Sequence, residues 1–136
     1  MWRDRGSISL WAALAAFAMI VMVGIAVDFG GQAVAEQRAR TVAAQAARAA
    51  GQELQQDAVT RAGTPVTDTT RAVAAATTFL TQAGQNGTAT VTGTRITVTV
   101  TGSYDCVFLS IIGISSLPVS GTSTAEVVRV YEGSRR

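Results

Sequence analysis

The chain has 136 residues, room for one small domain once an N-terminal apolar stretch is set aside. All eleven basic residues are Arg, nine residues are acidic, and the net charge of +2 comes from scattered guanidinium groups. No basic block can grip a phosphate backbone, so nucleic acid is not expected as a partner. The chain has no His and a single Cys, Cys106. These absences remove the usual zinc ligands and general base and exclude an intrachain disulfide.

Arg3 and Arg5 precede an uncharged run from Ser7 to Val27, and the first charges after it are Asp28 and Glu36. A helix rising ~1.5 Å per residue covers roughly 30 Å over that run, the thickness of a hydrocarbon core. The positive-inside asymmetry then predicts a cytoplasmic leader at 1–6, a transmembrane helix at 7–27 and an extracytoplasmic domain at 28–136. Membrane lipid is the first expected partner, and the location is a single-pass cell (inner or plasma) membrane. An alternative rests on Ala33-Val34-Ala35, which has the small-x-small form of a signal-peptidase site. Cleavage after Ala35 would release a secreted small binding module, although such signals carry an apolar core of only about 7 to 15 residues.

Beyond the run, Ala35, Ala39, Val42, Ala43, Ala46, Ala49 and Ala50 fall on one helical face, with Gln37, Arg40, Gln45, Arg48 and Gln52 opposite. The spacing predicts a helix over 28–56 that continues the membrane segment. Its Ala face lets a neighbouring backbone approach closely, and the domain's own sheet is the expected neighbour ahead of another subunit. Gly63-Thr64-Pro65 breaks the chain, and Thr67 or Asp68 caps a second helix over 68–83. Its core face takes Val73, Ala76, Phe79 and either Leu80 or Ala83.

Gln85-Asn86-Gly87 reads as a turn, followed by a hairpin over 88–101 around Gly93-Thr94. Ile96, Val98 and Val100 share the buried face of its second strand, whereas Arg95, Thr97, Thr99 and Thr101 share the wet one. Asn86-Gly87-Thr88 matches a glycosylation acceptor, a match too short to carry weight. Cys106 reads as a small buried apolar residue ahead of a partner in an intermolecular bridge. Residues 107–118 form an apolar loop too short to span a bilayer, which is buried, faces the membrane surface or meets a partner. A last strand over 119–131 precedes a charged tail. The fold class is α+β: a long N-terminal helix and a second helix packed on an antiparallel sheet of three or four strands, in the manner of a pilin.

Four features in order carry a family resemblance: Arg5-Gly6-Ser7 before the apolar helix, the ending Val27-Asp28-Phe29-Gly30, the Ala/Arg/Gln helix, and the ITVTVTGSY strand with a later apolar loop and Val-rich last strand. Together they resemble TadE/TadG-like proteins of the Tad (Flp) pilus assembly system, a branch of type IV pilus machinery. The resemblance implies a non-enzymatic membrane component of a pilus or related secretion apparatus, with other Tad components as partners and no cofactor. It also implies a leader-processing site at Gly6-Ser7 for a prepilin peptidase, which leaves the helix on the mature protein. In such leaders a Glu stands five residues beyond the cut, but here that position is Trp11. Trp11 cannot pair with a freed amine, which favours an uncut TadG-like anchor over a cut TadE-like minor pilin. Trp11, Phe108, Ile111 and Ile112 are the expected assembly or membrane contacts. Asp57, Asp68, Asp105, Glu126 and Glu132 are the remaining acid/base candidates for an enzyme, and no two form a recognisable motif.

Overall fold

The computed structural model describes residues 4–60 and 69–127, with side chains at 7–55 and 69–127. Helix α1 runs without a break over Asp4–Thr60, and α2 spans Thr69–Gln82. Strands β1 (Asn86–Thr92), β2 (Arg95–Asp105) and β3 (Ser116–Glu126) follow, with a 3-10 turn at Leu109–Ile112 between the last two. The three strands form an antiparallel sheet in the order β1-β2-β3, and the class is α+β as expected. Two compact units divide the chain: Met1–Ala35 with Ser103–Leu117, and Glu36–Gly102 with Pro118–Arg136.

Within the second unit the 3.6-residue period of alanines builds the core. Ala39, Ala43, Ala46, Ala47, Ala50 and Leu54 are buried, while Gln37, Arg40, Gln45, Arg48 and Gln52 are exposed. Small side chains let backbone meet backbone. A Cβ at Gly121 of β3 would collide with the main chain of Ala39 and Arg40, so the sheet is the neighbour of the Ala face. Ile96, Val98 and Val100 are completely buried, as their alternation requires. The opposite face carries hydroxyl pairs, Thr97 with Thr124 at 3.4 Å and Thr99 with Thr122 at 3.2 Å, and an Arg95–Glu126 ion pair at 3.8 Å.

Several boundaries differ from the sequence reading. The core face of α2 centres on Ala72, Ala76 and Leu80, with Val73 and Phe79 half-buried and Ala83 exposed. The helix closes with Gly84 N–H donating to Thr81 O and Gln85 N–H to Leu80 O. That closure comes early enough for Asn86 and Gly87 to enter β1, paired with Thr101 and Val100, so they are strand rather than turn. The hairpin extends to Asp105, and β3 begins at Ser116, three residues before the expected start. The stretch 116–118 is therefore strand rather than loop. The Thr67 or Asp68 cap, the Gly63-Thr64-Pro65 break and the end of the last strand beyond residue 127 lie outside the described residues.

Candidate functional site

Among the described residues, one helix is long and apolar enough to cross a membrane, and almost none of its most apolar window is buried. Gly24, Asp28 and Gly31 sit at spacings of four and three on this helix, hence on one face. Segment 103–117 packs on that face. A Cβ at Gly24 would stand 2.9 Å from the Phe108 ring, and one at Gly31 would overlap the Tyr104 phenol. Both glycines are thus places where a ring lies directly on helix backbone.

Between them the Asp28 side chain is completely buried. Its Oδ1 accepts the Val107 N–H at 2.8 Å, and Oδ2 accepts the N–H groups of Phe108 at 2.9 Å and Leu109 at 2.6 Å. A buried carboxylate with three charge-assisted bonds is a satisfied group, and it fixes the start of the loop to the helix. The rest of the loop closes on itself. Cys106 N–H donates to Ser115 O, Ile111 N–H to Phe108 O, Gly113 N–H to Ser110 O and Ile114 N–H to Leu109 O. Leu109 and Cys106 face inward. Burial first, then the charges of Asp28 and Asp105, push the Cys106 thiol pKa above its usual value.

The expected contact residues divide into two groups. Phe108, Ile111 and Ile112 lie together on this loop and are exposed, Ile111 by 81% and Ile112 by 72%. Trp11 is also exposed but belongs elsewhere on the helix, thirteen residues before Gly24, or roughly 20 Å along the axis. Gly6 and Ser7 lie in helical backbone near the start of α1. Among the acid/base candidates, Glu126 is engaged by Arg95 and Asp105 is exposed; the side chains of Asp57, Asp68 and Glu132 lie outside the described ones. Among the described residues no three His, Cys, Asp or Glu converge to hold a metal ion.

Asp28 itself, with Gly24, Gly31 and Tyr104, is the feature that residue patterns alone did not single out as a site. Its sequence signals are the ending Val27-Asp28-Phe29-Gly30 and a carboxylate placed directly after the uncharged run, with glycines four before and three after it.

The family described as "Putative Flp pilus-assembly TadE/G-like" matches residues 6–53, about a third of the chain. The match begins at the Gly of Arg5-Gly6-Ser7, contains Gly24, Asp28 and Gly31, and ends on the Ala-faced helix. It is the similarity that the N-terminal features led us to expect. No curated protein and no solved structure matches the chain.

Proposed function

We propose that this chain is a non-enzymatic, pilin-like, single-pass membrane component of a Tad/Flp pilus or a related secretion apparatus. The observation that carries the reading is the unbroken helix Asp4–Thr60, which joins an uncharged, lipid-length segment to the Ala-faced core helix of a small α+β domain. The family match over residues 6–53 supports a pilus-associated role. Arg3 and Arg5 favour a cytoplasmic N-terminus with the domain outside. In this reading the helix anchors the domain, and assembly proceeds through helix packing and sheet contacts with other Tad components.

Processing at Gly6-Ser7 by a prepilin peptidase would keep the helix from Ser7 onward and the Asp28 carboxylate on the mature protein. Cleavage after Ala35 would instead cut α1 in its interior and discard Asp28, leaving three loop N–H groups without their acceptor. The released-module reading is therefore the weaker one. Trp11 in place of the pilin-type Glu favours the uncut anchor.

Two measurements test this. Crosslinking in intact membranes followed by pull-down should recover other Tad components, and recovery of none would overturn the assignment. N-terminal sequencing of the membrane-extracted protein separates the three fates: Met1 as first residue means an anchor, Ser7 a processed subunit and Glu36 a released module.

A further inference from the structure

We propose that the loop Val107–Ile114 is a lipid-immersed wedge: Asp28 pins it against the last turn of the membrane helix, and Ile111 and Ile112 enter the acyl chains of the outer leaflet. This rests on the reading of residues 7–27 as the membrane span.

Continuity with that span identifies lipid as the occupant. Phe108 lies on Gly24, one helical turn before Asp28, or about 6 Å back into the uncharged run. A ring packed there is at hydrocarbon depth, on the same apolar surface that the helix presents through Phe17, Ile20 and Ile25, all exposed. Ile111 and Ile112, three and four residues after Phe108, are exposed as well. From Cys106 to Ala125 the chain holds no charged residue, so no charge in the loop opposes entry.

Irregular backbone is tolerated in lipid only when its polar groups are already satisfied. Six of the eight N–H groups from Val107 to Ile114 meet that condition. The N–H groups of Val107, Phe108 and Leu109 go to the Asp28 carboxylate, and those of Ile111, Gly113 and Ile114 go to carbonyls within the turn. The Ser110 hydroxyl donates to Val107 O at 2.8 Å. Asp28 itself is shielded beneath the loop, so the carboxylate that would oppose immersion is consumed in making immersion possible.

The test uses the intact native chain in phosphatidylethanolamine/phosphatidylglycerol nanodiscs, with isotope-labelled isoleucine methyl groups read by NMR. Two probes are added separately: a lipid carrying a doxyl spin label on its acyl chain, and a water-soluble gadolinium chelate. The molecule supplies its own controls, Ile20 in the span and Ile96 in the closed core of the sheet. Single Ile111→Val and Ile112→Val replacements assign the two signals. Immersion requires that Ile111 and Ile112 lose intensity with the doxyl lipid as Ile20 does and keep it with the chelate. Loss to the chelate instead places the loop in water and overturns the proposal. Protection from both probes, as at Ile96, means that a protein surface covers the loop and overturns it equally. If Ile20 also escapes the doxyl lipid, the membrane-spanning reading itself fails, which separates that failure from the loop's.

Discussion

The Asp28 carboxylate and the Leu109 backbone N–H, eighty-one residues apart in sequence, meet at 2.6 Å in a buried bond. Because both carboxylate oxygens are used, an amide cannot replace this group: one end of an Asn side chain would turn an NH2 toward an N–H donor. We expect Asp28→Asn to free the loop without unfolding the sheet, raising amide exchange at Val107, Phe108 and Leu109 by about tenfold or more while leaving Val98 and Val100 protected. Unchanged exchange at the three loop amides would show that Asp28 does not hold them.

Cys106 gives a second reading of the same corner. Its thiol keeps its proton to higher pH than a free Cys because it is buried and because Asp28 and Asp105 are negative. The thiolate, the reactive form, is therefore scarce at neutral pH and grows only as pH climbs beyond the ordinary thiol range. Iodoacetamide should label the native protein about tenfold or more slowly than the denatured one, as read by intact mass. Asp28→Asn should speed labelling, since it removes one of the opposing charges and loosens the cover. Equal rates in native and denatured protein would mean that the thiol is open to water.

Leu80 and Thr99 test the two sides of the helix-and-sheet core. Leu80 is 2% exposed and lies against the Gly87 backbone of β1, so Leu80→Ala should cost about 2–5 kcal/mol by leaving a cavity. Thr99 shares a hydroxyl contact with Thr122 on the exposed face, and Thr99→Ala should cost about 1 kcal/mol or less. Denaturation followed by circular dichroism in detergent measures both. Equal costs would mean that the threonine face is also covered.

What the sequence made legible follows periodicity, and what it hid follows backbone. Ile96, Val98 and Val100 alternate with threonines, so their burial could be read directly, and the Ala face of α1 repeats often enough to be seen. Ala47, which that spacing did not include, is buried as well. Asn86-Gly87 looks like a turn, yet the carbonyl bonds closing α2 at Gly84 and Gln85 have already reversed the chain, leaving Asn86 free to pair with Thr101. The early start of β3 at Ser116 follows from the Cys106–Ser115 backbone bond, in a stretch without alternation. Asp28 was visible as the charge that ends the apolar run, but its partners are N–H groups of Val107, Phe108 and Leu109. Every residue but Pro carries such a group, so no pattern of side chains announces it.

A close main-chain approach in the domain core sets up the last prediction. A Cβ added at Gly121 would meet the main chain of Ala39 and Arg40, which is held in a long helix and cannot swing aside as a side chain would. Gly121→Ala must therefore separate β3 from α1, and we expect a loss of about 2–3 kcal/mol with a matching fall in the denaturation midpoint. Gly31→Ala, although also crowded, meets the Tyr104 ring, which can rotate away, so its cost should be smaller and confined to the ring's environment. Gly30→Ala meets nothing within 4 Å and exchanges a poor helix former for the best one, so it should be neutral or stabilising by up to about 1 kcal/mol. The order Gly121 worst, Gly31 intermediate, Gly30 harmless separates backbone crowding from helix propensity. A Gly121→Ala variant as stable as the native chain would mean that α1 and β3 do not touch main chain to main chain.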